Sequence, residues 1–215
     1  MSEQPSLDFR DAEGAHFPSA DGLANAAVPE IQGLEYLPDF LSPAEQQRAL
    51  ESIDRSDWMS TLERAVQHYG WRYDYRSRVV TSDMRIGPLP DWLADLAQRL
   101  YKETGAFDRV PDQAIVNEYT AGQGIAMHID RHCFGDAVAT ISLGDTWLMD
   151  FRPLRANRSA TVHMALAQGS ALILTNDARY RWLHGIAKRR RERLQHGGWR
   201  PRARRVSVTF RTVLL

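Results

Sequence analysis

In this chain of 215 residues, the set best suited to hold a metal ion is His128-Ile-Asp130 together with the distant His184. On extended backbone, residues two apart point the same way, so the side chains of His128 and Asp130 would converge on one ion and a single remote histidine would complete the set. Two imidazoles and one carboxylate on one triangular face of iron(II) leave three positions for a chelating cosubstrate and oxygen. The spacing alone is a cheap pattern in a chain with seven histidines. His132, four residues after His128, would substitute as a ligand only on a helix, and Gly122, Gly124 and Gly135 argue against one there. A second set is Arg205 and Arg211, an even number of positions apart on a predicted strand and therefore on one face. Burying both guanidinium groups is costly unless anions meet them, and a dicarboxylate such as 2-oxoglutarate would do so; two exposed arginines on an edge strand are the alternative. The third set is Gly70-Trp-Arg-Tyr-Asp-Tyr-Arg-Ser-Arg78, where aromatics alternate with arginine. As a strand it would present Trp71, Tyr73 and Tyr75 together, either to stack bases or to pack a hairpin on the core. Neither a Gly-x-Ser-x-Gly elbow nor a Gly-x4-Gly-Lys phosphate loop occurs.

The elements that must position these side chains are readable in outline. Ser42-Pro-Ala-Glu45 is a capping box with proline at the first helical position, which predicts a helix from Pro43 to about Ile53. Trp92, Leu93, Leu96, Ala97, Leu100 and Tyr101 recur at helical spacing before Gly105, which predicts a second over 91–104. Beyond residue 113 the period changes. Segments 113–119, 137–143, 146–151, 160–164, 171–175 and 205–214 are short, rich in β-branched and aromatic residues, and separated by Gly, Asn, Asp or Pro. Helices followed by many short strands predict an α+β fold, with the early helices packed on a jelly-roll core. Residues 1–28 lack a sustained hydrophobic period and are expected to be a flexible tail, leaving 29–215 as one domain. Residues 187–204, with Lys188-Arg-Arg-Arg-Glu-Arg193, Gly197-Gly198 and Pro201, are expected to form a long surface loop.

Hydrophobic residues make up 43% and charged residues 25%, enough apolar side chains for a core, so collagen-like, coiled-coil and wholly disordered classes are excluded. No apolar stretch suits a membrane span or a secretory signal, which predicts a cytoplasmic protein with no membrane partner. Cys133 stands alone, so no intrachain disulfide and no multi-thiolate zinc site can form. Net charge is zero but unevenly spread: residues 179–211 hold twelve Lys or Arg and one acid, Glu192, giving +11 there and −11 elsewhere. Such a segment suggests a cationic face for phosphates, or simply a preference for Arg at solvated positions, since only two lysines occur.

Taken in order, Asn117-Glu-Tyr119, Gly122-Gln-Gly124, His128-Ile-Asp130, Ile141-Ser-Leu-Gly144, Met149-Asp-Phe151, Tyr180-Arg-Trp-Leu-His-Gly185 and Arg205-Val-Ser-Val-Thr-Phe-Arg211 resemble the AlkB family of iron(II) and 2-oxoglutarate dependent dioxygenases. Each motif is weak alone. Their succession, spread over residues 34–213, is specific. The resemblance implies a double-stranded β-helix with His128, Asp130 and His184 as iron ligands. It further implies Arg205 and Arg211 on the carboxylates of 2-oxoglutarate, assisted by Asn117 and the Tyr119 hydroxyl. In that family O2 and 2-oxoglutarate are consumed, succinate and CO2 are released, and an N-alkyl group on a base is hydroxylated and leaves as an aldehyde. Tyr69-Gly-Trp-Arg-Tyr-Asp-Tyr75, Pro111-Asp-Gln113 and the Gly-Gln-Gly-Ile before His128 resemble especially the branch that acts on wobble uridine in tRNA. The expected function is oxidative dealkylation of damaged bases in DNA or RNA by a monomer. A hydroxylase of a tRNA nucleoside or protein side chain and a non-catalytic binding barrel are the alternatives. Trp71, Tyr73 and Tyr75 would then cover an extruded base, with Arg131 and His132 near its edge.

Overall fold

The computed structural model describes residues 22–23, 27–59 and 63–215. Strand β1 (Leu34–Leu37) leads into helix α1 (Pro43–Asp54), which starts where its capping box dictates. The Glu45 amide donates to Ser42 Oγ at 3.4 Å and the Ser42 amide to Glu45 Oε2 at 2.7 Å. After β2 (Ala65–Tyr69) comes helix α2 (Asp91–Thr104), closed by Gly105 at φ +60°. Then follow β3 (Gln113–Tyr119), β4 (Ile125–His128), β5 (Phe134–Gly144), β6 (Trp147–Pro153), β7 (Val162–Leu166), β8 (Ala171–Leu174), the short helix α3 (Asn176–Tyr180), β9 (Trp182–Ile186), β10 (Arg191–Arg193), β11 (Trp199–Pro201) and β12 (Arg205–Val213).

The strands form two main antiparallel sheets, a six-stranded one ordered β1-β8-β5-β12-β3-β2 and a four-stranded one ordered β4-β9-β6-β7, the jelly-roll layout the strand pattern implied. Alternation along each central strand divides the labour. On β12, Val206, Val208 and Phe210 join Ala49, Ile53, Leu93, Ala97 and Leu100 of the two helices in one buried cluster. Arg205, Ser207, Thr209 and Arg211 point the other way, into a cavity of about 800 Å³. Strands β3, β5 and β8 repeat the pattern, sending Ile115, Asn117 and Tyr119, Val138 and Thr140, and Leu172 and Leu174 into that cavity. Opposite them, Met149, His184 and Ile186 of the smaller sheet line it.

The expected loop over 187–204 is instead an antiparallel hairpin, with Glu192 paired to Arg200 in register. Burial explains why charge misled the reading. Glu192 is fully buried and its Oε1 accepts from Arg202 Nε (2.8 Å), Arg202 Nη2 (2.7 Å) and the Leu148 amide (3.1 Å), while Arg202 lies 4.0 Å from the Trp147 ring centre. Glu192→Gln removes the charge that Arg202 needs in a dry site. A loss of about 3 kcal/mol is expected, read as a thermal midpoint lower by roughly 10 °C in a chain of this size; an unchanged midpoint would show that the pairing contributes nothing. The tail expected through residue 28 is anchored at Leu23, which is buried and bridges Leu194; residues 1–21 lie outside the described residues.

Candidate active site

Strands β4 and β9 place two of the three candidate ligands directly across from each other: His128 faces His184 in the antiparallel register, with ring centres 4.4 Å apart. Such cross-strand partners are near neighbours by construction. Gly124 permits the close approach, because a Cβ there would stand 2.2 Å from the Ile186 carbonyl oxygen. Asp130 lies two residues beyond the end of β4, in the loop leading to β5, so it does not share a strand face with His128 as expected. Its position comes from elsewhere. Arg211 Nη2 meets Asp130 Oδ1 at 2.6 Å, and the buried Arg179 donates to the carbonyl oxygens of Asp130 (2.7 Å) and Arg131 (2.8 Å). One ligand atom from each of His128, Asp130 and His184 then falls within 4.8 Å of the others.

The protonation states of His128 and Asp130 suit a divalent cation. Burial first, and the neighbouring His184 second, push the His128 ring down to about 4, so it is neutral at neutral pH. Its Nδ1 sits 2.9 Å from the Ala126 carbonyl oxygen, which can only accept, so Nδ1 carries the proton and Nε2 keeps the lone pair a metal needs. Burial would raise Asp130, but Arg211 and His184 overcome it and hold the carboxyl well below the usual range. A neutral His128 imidazole beside an ionised Asp130 carboxylate suits iron(II).

At the far end of the same strand face, Arg205 is completely enclosed. Its Nη2 donates to Ser142 Oγ at 3.0 Å and its guanidinium stands 5.6 Å from the Tyr119 ring centre, while Nε and Nη1 have no partner among the described residues. Burial lowers its pKa to about 10, which still leaves it charged. A buried cation with two unsatisfied donors is costly alone and complementary to a carboxylate. Tyr119 faces Arg205 in register and Asn117 faces Ser207. Asn117 Oδ1 also accepts from Arg64 Nε at 2.8 Å.

Tyr73 and Tyr75 line the cavity, edge to face at 5.0 Å, and Arg131 lines it too. Trp71 and His132 do not. The chain turns at Gly70 (φ +76°), so 71, 73 and 75 share no strand face; Trp71 faces away, donating from Nε1 to Asp112 Oδ2 at 3.2 Å under Arg85. His132 is exposed and stacks near Tyr180 with ring centres 6.2 Å apart. Tyr73 is held by His68, whose Nδ1 accepts the Tyr73 amide at 3.1 Å and which burial keeps neutral, with a pKa of about 4. Sequence reasoning missed Arg64, Arg179, Ser207 and Thr209. The last two were findable, since they occupy the alternate positions between Arg205 and Arg211; nothing local distinguishes either arginine from the other twenty-three.

The family model described as the 2OG-Fe(II) oxygenase superfamily matches residues 33–211. The chain belongs to this family. Within it, the probable RNA/DNA demethylase ALKBH6 of Danio rerio is 30% identical over 204 residues, covering 83% of this oxygenase and 84% of that protein, which places the chain among AlkB homologues. The tRNA (carboxymethyluridine(34)-5-O)-methyltransferase alkbh8 of Xenopus tropicalis is 37% identical over 169 residues, 76% of this chain; the oxygenase spans only 26% of that protein's length. The solved structure of OsALKBH1 superposes with a TM-score of 0.61 at 18% identity, covering 84% of this chain and 98% of that one, and so shares the fold. As an oxygenase of this family, the chain works with Fe(II), 2-oxoglutarate and O2. No helix among the described residues is long and apolar enough to cross a membrane.

Proposed function

We propose that this oxygenase removes N-alkyl groups from damaged bases in DNA or RNA, releasing aldehyde, succinate and CO2, with 29–215 as its catalytic domain. The observation that carries the reading is a single cavity bearing the His128, Asp130 and His184 cluster on one wall, the unsatisfied Arg205 on another, and two mutually packed tyrosines. Fe(II) with 2-oxoglutarate and O2 supplies the oxidising power. The chain supplies everything else. His128 offers a neutral nitrogen, His184 a second imidazole, and Asp130, kept ionised by Arg211, the carboxylate. Arg205 takes the remote carboxylate of 2-oxoglutarate, with Tyr119 and Asn117 lining its approach and Arg211 adding positive charge at the metal end. Leu172, Leu174, Met149 and Ile186 keep the cavity apolar, which excludes water from the reacting groups. Tyr73 and Tyr75 offer flat faces to an extruded base, and Arg131 reaches its edge.

A second reading, hydroxylation of a tRNA wobble nucleoside without cleavage, is favoured by the 37% identity to the Xenopus tropicalis protein. A panel of methylated and etheno-bridged oligonucleotides, single- and double-stranded, assayed beside tRNA that carries a carboxymethyl-type side chain on its wobble uridine, separates the two. Aldehyde and succinate in equal amounts from an alkylated strand are expected. A hydroxyl retained on a tRNA nucleoside would favour the second reading, and substrate-independent succinate throughout would overturn both.

A further inference from the structure

The +11 segment is far less free than its composition suggests. Nine of its twelve cations already have partners in the chain or are enclosed by it: Arg181 with Asp177 and Lys188 with Glu63 at the surface, Arg189 and Arg202 with Glu192, Arg200 with Asp145, Arg204 with Asp54 and Glu118, Arg211 with Asp130, Arg179 with backbone carbonyls, and Arg205 in the cavity. Arg190, Arg191 and Arg193 remain, all exposed and all without a carboxylate partner among the described residues. They follow the cavity wall in sequence, since the chain passes from His184 on β9 through Ile186 and Lys188, both of which line the cavity, to Arg190.

The hairpin organises this charge. Arg191 and Arg193 lie two apart on β10, on the face opposite the buried Glu192, and Arg193 is the cross-strand partner of Trp199. Trp199 is 58% exposed, an unusual place for the largest aromatic side chain. Beneath this outer face the hairpin is pinned by Glu192 with Arg202 and by Arg200, whose Nη1 meets Asp145 Oδ1 at 2.6 Å, so the platform is rigid without a partner.

We propose that the outer face of the β10–β11 hairpin binds the nucleic-acid strand flanking the base held in the cavity, with Arg191 and Arg193 on phosphates and Trp199 stacked on a neighbouring base. Unpaired cations beside an exposed flat ring are the complement of a single strand, which offers anions and π-faces in alternation. An acidic polypeptide would satisfy the arginines and leave Trp199 without a role. The proposal rests on the nucleic-acid reading of the cavity, yet it concerns binding and not chemistry.

The test is fluorescence anisotropy of a labelled, unmodified single-stranded oligonucleotide across a salt series, using the full chain. The double substitution Arg191→Ala with Arg193→Ala should flatten the slope of log K against log salt by about 1.4. Trp199→Ala should weaken binding about tenfold with the slope unchanged. Neither should alter succinate formed without nucleic acid. Unchanged affinity and slope in both variants would overturn the proposal, as would polyglutamate competing as well as the oligonucleotide while Trp199→Ala has no effect. Hairpin-dependent binding by a chain that dealkylates nothing would uphold the hairpin and sink the dealkylase. Dealkylation with KM unchanged in both variants would do the reverse.

Discussion

Replacing His184 by alanine should drop succinate formation to the assay background and abolish stabilisation by a divalent cation. In the unsubstituted chain, manganese(II) at a hundred times its Kd adds about 2.7 kcal/mol, a rise in thermal midpoint of roughly 5–10 °C for this size. The variant should show no rise, because the His128 ring across the strand pair and the Asp130 carboxylate cannot close a three-point site. The cation-free fold should survive, since His184 lies at the cavity wall and its Nδ1 has no partner to lose among the described residues. An undiminished metal shift in His184→Ala would remove this residue from the site.

Arg205→Met should separate stability from activity in opposite directions. Without 2-oxoglutarate, the native chain holds a buried guanidinium with two unsatisfied donors, so an apolar side chain of similar length should raise the thermal midpoint. With 2-oxoglutarate, the variant loses charge-assisted bonds worth about 1.5–3 kcal/mol each. The KM for 2-oxoglutarate should therefore rise about a hundredfold for two such bonds after the apolar gain is discounted. Arg205→Lys keeps the charge but not the fork, so its KM should lie between. Steady-state kinetics and a melting curve with and without 2-oxoglutarate read both effects. A KM unchanged in Arg205→Met would remove Arg205 from cosubstrate binding.

Legibility followed the range of the forces involved. Helix α1 announced itself through Ser42, Pro43 and Glu45, and α2 through its apolar stripe and Gly105, because caps and periodicity are local. Strand β12 is equally plain in the sequence, and its alternation alone puts Arg205 and Arg211 on one face. The pairing of His128 with His184 was not derivable from spacing, since register between distant strands depends on the whole sheet; only the succession of motifs pointed to it. Asp130 was assigned the right neighbours for the wrong reason, its placement coming from Arg211 and Arg179 rather than from strand alternation. The hairpin at 191–201 was hidden because a fully buried Glu192–Arg202 pair defies the expectation that charge runs lie in solvent. Trp71 departs from the strand pattern because the chain turns at Gly70, beyond which the two-residue period does not apply.

Strand β12 is hydrogen-bonded on both sides, to β5 and β3, and wears an oily face toward the helices and a charged face toward the cavity. A slip of one residue in either ladder would exchange those faces, thrusting Arg205 and Arg211 beneath α1 and α2 and turning Val206 and Phe210 toward the ligands. The register that buries Val206 and Phe210 is thus the one that turns Arg205 and Arg211 to the cavity, and a slip would lose both at once. Selection of the register that presents both arginines to the cavity is built into the energetics of assembly.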